Sequence, residues 1–382
     1  MRRRAIGLAA VGVLLAGAAA AVLEPEEITT AVLPEPAPHW VWINDLNFFS
    51  LESTRAFLFD GDTGDMLGQI PTGVHNVGLV LSPDRSRLYS PETYYPRGTR
   101  GKRSDFLITR DMKTLEVLHE TEIPPKRASG TPHRAYQGIS DDGRFVFVAN
   151  MTPAASISVV DVEKHRFVAE IETAGCGLVY PTGNRSLAVL CGNGTVQHIR
   201  LKENGEERER VASAAFFEPQ EDPLREGAAR DGDTWYYVSF KGHVHPVKFG
   251  AKKARPAEAW SLFSDAEREA GWRAGGTGLI ALHEKLGQLY VIVHQTDQKW
   301  THKNGGNQIW VYDLKSRKRS RVIELAVAVD SIAVSQDAEP LLFGNSLPNS
   351  AVLIHDAKSG EYLRTIQGPA PIVPHMSHPL SR

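Results

Sequence analysis

One phrase constrains the fold of this chain more than any other feature: an apolar run ending on Asp, a short polar turn, and a second apolar run. It reads SISVVDVEKHRFVAEI at residues 156–171. It returns as FLFDGDTGDMLGQI (57–70), FLITRDMKTLEVLHETEI (106–123), VQHIRLKENGEERERV (196–211), VHPVKFGAKKARPAEAW (244–260), IWVYDLKSRKRSRVIEL (309–325) and VLIHDAKSGEYLRTI (352–366), seven copies in all. A second phrase, a polar turn followed by an apolar strand, alternates with it six times: SPDRSRLYS (82–90), SDDGRFVFV (140–148), TGNRSLAVL (182–190), RDGDTWYYV (230–238), HEKLGQLYVIV (283–293) and SQDAEPLLFG (335–344). Asp60, Asp111, Asp161, Asp313 and Asp356 mark a period of roughly 40 to 50 residues, the spacing of stacked four-stranded sheets. A sheet of this kind cannot bury both faces alone, so neighbours must pack around an axis.

The expected fold is therefore all-β, a seven-bladed β-propeller. The second phrase is one copy short, because the seventh segment runs into the C-terminus. The apolar stretch HWVWIND (39–45) at the other end supplies a spare strand, so the last blade is expected to be closed by the N- and C-terminal strands together, which removes open sheet edges. The repeated Asp residues read as turn caps that hydrogen-bond their own backbone. Helical periodicity is confined to SLFSDAEREAGW (261–272), where Ser264 is placed to cap a short helix begun by Asp265 and Glu267.

Ahead of the repeats, Arg2, Arg3 and Arg4 precede an apolar run, and Ala18 and Ala20 fit an A-x-A cleavage site. Residues 1–21 read as a secretory signal peptide, 22–38 as an acidic, proline-rich arm, and 39–382 as the propeller. Export to the periplasm is the expected localisation. With 43 Lys plus Arg against 45 Asp plus Glu, the net charge of −2 carries no basic excess of the nucleic-acid-binding kind.

The two cysteines, Cys176 and Cys191, flank GLVYPTGNRSLAVL. A turn centred on Gly183–Asn184 makes paired residue numbers sum to 367, which sets the two thiols opposite each other on neighbouring strands. In an oxidising compartment they form a structural disulfide. The HVH segment places His243 and His245 on one strand face, either as a metal pair or as strand-edge histidines; no third ligand stands at a fixed spacing. His375 and His378 in PHMSHP read as part of a mobile tail. RGTRGKRSDF (97–106) gathers Arg97, Arg100, Lys102 and Arg103 in what reads as an inter-blade loop, either a docking patch for an acidic partner or a solvated loop. Phe48 and Phe49, just past the N-terminal strand, either plug the propeller mouth or anchor an interface. No G-x-S-x-G, H-E-x-x-H, P-loop or dinucleotide fingerprint occurs. These residues describe a scaffold without a self-contained active site.

DGDTGDMLGQIPTG (60–73), RGTRGKRSDF (97–106), PPKR (124–127), WSLFSDAEREAGWRAGG (260–276), THKNGGNQIWVYD (301–313) and SQDAEPLL (335–342) together resemble the heavy subunit of the methylamine and aromatic amine dehydrogenases, from about residue 38 onward. The resemblance implies a seven-bladed propeller in a periplasmic complex of two heavy and two light subunits. It further implies that the light subunit carries tryptophan tryptophylquinone and the catalytic base. Such complexes oxidise primary amines to aldehyde and ammonia and pass the electrons singly to a blue-copper protein. Within this chain the resemblance points to Phe49, with Phe48 adjacent, as the aromatic lining the amine channel. A free-standing lactonase-like propeller enzyme and a propeller binding module are the alternatives.

Overall fold

A computed structural model describes residues 31–382, apart from 47–49, 76–77, 130–132, 368–373 and 381–382; for 225–226 and 374–376 it describes the backbone alone. The stretch read as a signal peptide, the segment read as an arm as far as residue 30, and Phe48 and Phe49 lie outside the described residues. The chain divides into units 1–32 and Leu33–Arg382, and the fold described below belongs to the second.

The apolar runs form seven antiparallel sheets, the blades of a β-propeller. Blade 1 joins Pro374–Pro379, Trp40–Asp45, Arg55–Asp60 and Met66–Pro71. Blades 2 to 4 follow in chain order, over residues 80–123, 137–172 and 176–212. Blade 5 covers 224–261, blade 6 covers 272–329 and blade 7 covers 331–367. In each blade one strand lines a central cavity, and the others step outward through hairpins.

Both faces of each sheet are buried, which explains why the runs read as nearly continuous apolar sequence. In Trp40–Asp45 the alternation is divided between two neighbours. Trp40 and Trp42 pack with Leu79, Leu81 and Leu88 of the blade 2 side, whereas Val41 and Ile43 pack with Leu341, Phe343 and Ile354 of blade 7. A one-residue slip would exchange these two sets, so the register is firmly held. Each repeated Asp caps its turn as expected: Oδ1 of Asp60, Asp111, Asp161, Asp313 and Asp356 accepts from the backbone N–H of Asp62, Lys113, Lys164, Ser316 and Ser359. Ser264 caps the helix Asp265–Glu269 in a reciprocal capping box with Glu267.

Closure by N- and C-terminal strands is present, but at a different place from the one expected. The seventh repeat needs no borrowed strand, because Ser331–Val334 supplies its innermost one. Trp40–Asp45 instead pairs with Arg55–Asp60 of the first repeat and with Pro374–Pro379. The PHMSHP segment is thus the innermost strand of blade 1 and no tail. Its prolines are tolerated at its ends, since an innermost strand has an edge that needs no ladder partner. Ser377 and His378 are held there, with Ser377 Oγ donating to Asn345 Oδ1 at 2.8 Å and His378 Nε2 lying 3.0 Å from Asn44 Oδ1.

Cys176 and Cys191 are paired in register and joined as a disulfide, with Cα atoms 3.9 Å apart. The turn tip lies one residue further along the chain than expected. Gly183 pairs with Ser186, so the tip is Asn184–Arg185, and two irregularities between tip and cysteines restore the pairing of 176 with 191.

Candidate partner face and central channel

Antiparallel connectivity sorts the loops onto two faces. Links from one blade to the next share an upper face with the hairpins between second and third strands; the remaining turns form the lower face. The RGTRGKRSDF segment lies on the upper face within blade 2, as the hairpin between Arg87–Tyr94 and Ser104–Asp111, and not between blades. Arg97, Arg100 and Lys102 are exposed. Arg103 is not free to join them: its Nε and Nη2 donate to the two carboxylate oxygens of Asp105, each at 2.8 Å.

Asp105 is the centre of a buried network that joins two segments far apart in sequence. Its Oδ1 accepts from Thr93 Oγ1 at 2.7 Å, and its Oδ2 accepts from the backbone N–H of Arg127 at 3.0 Å. The Arg127 side chain, 1% exposed, donates from Nε to Thr93 Oγ1 at 2.7 Å and from Nη2 to the carbonyl of Val74 at 2.6 Å, and it also reaches the carbonyl of His75. Burial pulls this guanidinium down to about 10, with Asp105 opposing, so it stays charged at neutral pH. His75 in turn donates its backbone N–H to Leu51 O at 2.7 Å. Arg127 therefore sits two hydrogen bonds from the connection that carries Phe48 and Phe49. A second buried pair lies below it: Arg110 Nη1 donates to Glu92 Oε1 at 2.7 Å, and Glu92 also accepts from Ser90 and Tyr94.

Within the propeller, exposed large apolar side chains divide between the outermost strands and the upper face. On the upper face stand Trp300 at 66% exposure and Met151 at 53%, from hairpins of blades 6 and 3. Trp300 stacks on Phe240 of blade 5 with ring centroids 6.2 Å apart. A solvent-facing aromatic pair of this kind is the composition of an interface anchor.

The HVH histidines part company. His243 Nδ1 pairs with Asp222 at 2.7 Å, whereas His245 is buried and burial lowers its pKa. No cluster of three or more His, Cys, Asp or Glu side chains placed to hold a metal occurs among the described residues. The central cavity, about 480 Å³, takes lining residues from all seven blades. Sequence reasoning missed its polar groups, Arg134 and Gln137, and also Glu92, Arg110 and Arg127 as buried charges. A charged residue inside an apolar strand, as in SPETY, is the one local signal that could have found Glu92.

The family model for the methylamine dehydrogenase heavy chain matches residues 38–376. The chain belongs to the methylamine dehydrogenase heavy-chain family. Among curated relatives, the methylamine dehydrogenase heavy chain of Methylobacillus flagellatus is 28% identical over 331 residues, covering 86% of this chain and 82% of that protein. That of Paracoccus versutus is 29% identical over 363 residues, covering 92% and 83%. Among solved structures, a functionally unknown protein from Desulfotomaculum acetoxidans superposes with a TM-score of 0.62 at 13% identity, covering 89% of this chain and 98% of that one. That likeness shows the propeller fold alone. Family membership gives the Asp105–Arg127 network its setting: the RGKRSD and PPKR segments, distant in sequence, meet in one buried cluster under the upper face.

Proposed function

We propose that this chain is the scaffold subunit of a periplasmic amine dehydrogenase, whose light subunit docks on the upper face and carries the tryptophan tryptophylquinone. Membership of the heavy-chain family carries the reading. The upper face supports it, because it combines an aromatic anchor at Trp300 and Phe240 with a rigid base at Arg127. The quinone supplies the two-electron oxidation of a primary amine to aldehyde and ammonia when the light subunit is bound. The residues of this chain position that subunit, exclude water at the contact and, through Phe49, line the path of the amine. Arg97, Arg100 and Lys102 would dock the acidic surface of a partner, with the blue-copper acceptor as the candidate; a cationic loop of this kind acts mainly on association rate.

The reading is tested by titrating the light subunit onto variants. Trp300→Ala should weaken association by about 2 kcal/mol, roughly thirtyfold in Kd. Phe49→Ala should leave assembly in place and raise KM for the preferred amine more than it changes kcat. Unchanged association for Trp300→Ala together with unchanged kinetics for Phe49→Ala would place the partner elsewhere.

A further inference from the structure

The central cavity has an electrostatic asymmetry that the scaffold role does not need. Three guanidinium groups, Arg85, Arg134 and Arg230, line it against one carboxylate, Asp141. That carboxylate is already committed, since Arg230 holds it in a two-point pair at 2.6 and 2.8 Å at the lower mouth. The pair is part-exposed, at 25% and 39%, so the cavity communicates with solvent there.

Arg134 lies deeper, in the single turn of 3-10 helix Arg134–Tyr136 that leads into the innermost strand of blade 3. Its Nη2 donates to the carbonyls of Ile332 at 2.8 Å and Ser377 at 3.1 Å, spanning to blades 7 and 1. Among the described residues no carboxylate pairs with it, and its buried Nε has no partner. Burial alone draws its pKa down to about 10, so it remains a cation at neutral pH. His378 offers no countercharge, because burial and the neighbouring Arg134 push its pKa to about 3 and keep it neutral. At the extended C-cap of that turn, lining the same cavity, stands Gln137. It is 4% exposed, and neither its amide nitrogen nor its oxygen has a partner. A buried amide with both ends unsatisfied is costly and rare in a chain of this kind. A ligand that accepts from Nε2 would remove the nitrogen's share of that cost.

The remaining wall is aliphatic, with Leu79, Val179, Ile280, Leu282 and Val334 around the polar end. A mostly apolar cavity of this size with a few convergent polar groups is the form of a small-molecule site. We propose that the propeller channel binds a small organic carboxylate, its oxygens accepting from the Arg134 guanidinium and Gln137 Nε2 and its apolar body resting on the aliphatic wall. The site is independent of the partner face and would operate with the light subunit bound, by entry through the lower mouth.

Calorimetric titration of the full chain, in whatever complex it is isolated, with benzoate, hexanoate, hexan-1-ol and inorganic phosphate tests this. Saturable one-to-one binding of benzoate or hexanoate, at least tenfold weaker in Arg134→Met and several-fold weaker in Gln137→Leu, with hexan-1-ol much weaker, is the expected result. Gln137→Leu leaves the Arg134 contacts to the two carbonyls intact, so it reports on the site even if Arg134→Met folds poorly. Absence of saturable carboxylate binding to the unmodified chain would overturn the proposal. So would binding of phosphate alone, or carboxylate binding that both variants leave unchanged, which would make Arg134 a strut between blades and nothing more.

Discussion

Arg127 shows how much one side chain can organise. Its fork bonds Thr93, Val74 and His75 while its backbone N–H meets Asp105, so the planar group ties two separate stretches of chain to residue 127 and the backbone adds a third. Lysine offers a point charge in place of that geometry. Arg127→Met leaves the carbonyls of Val74 and His75 short of a donor and should cost about 3 kcal/mol or more, read as a lower midpoint in urea unfolding. It should also loosen the connection bonded through His75 to Leu51, and so weaken light-subunit association. None of this was legible from periodicity. Residues 74, 93, 105 and 127 carry no common spacing, and the PPKR segment stood out only through its resemblance to the heavy subunits. By contrast, the five turn-capping Asp residues were readable, because a side chain that bonds its own turn acts within a few residues of itself.

At the scale of strands and hairpins, the sequence carries what local patterning decides and misses what distant edges decide. The facing of Cys176 and Cys191 followed from hairpin arithmetic even though the turn tip is one residue further on, because the irregularities between Gly177 and Tyr180 and between Pro181 and Gly183 compensate. The bridge closes a loop with a sequence separation of 15. Replacing both cysteines with alanine should cost about 3 kcal/mol of stability, measured as the difference in chemical unfolding between oxidised parent and variant. The hairpin should persist, since its register is also held by Leu187 and Val189 in the core. The C-terminal strand was not legible. Pro374–Pro379 has none of the alternation or β-branched content of a strand, and its identity comes from the unpaired edge of Trp40–Asp45 that it covers.

The whole ring depends on the seam between blades 7 and 1, and a titratable group spans that seam on the lower face. His39 Nδ1 lies 2.8 Å from Asp62 Oδ1, while its Nε2 lies 3.0 Å from Asp337 Oδ2 and 3.0 Å from the carbonyl of Glu339. Burial lowers the His39 pKa, but the hydrogen bonds and charges of Asp62 and Asp337 outweigh it, and the net shift is upward. A raised folded-state pKa means that the imidazolium stabilises the fold fully below the ordinary histidine value, and that this contribution is lost as pH rises through the folded value. The deficit of His39→Gln relative to the parent should therefore be largest near pH 5.5 and shrink towards pH 9, measured by chemical denaturation across that range. A deficit that grows with pH would remove the seam role of His39. That blade number and strand alternation were readable in advance reflects the repeat itself; where the ring closes depended on a terminal pairing between segments more than 300 residues apart.

On the proposed function, this propeller works as one half of an amine-oxidising complex. The most direct measurement is purification of the native protein from the periplasmic fraction of cells grown on a primary amine, with intact mass and a visible spectrum. A second, smaller subunit should co-purify with this chain, with a quinone-like absorbance bleached by added amine. A colourless, lone chain from the same cells would contradict it.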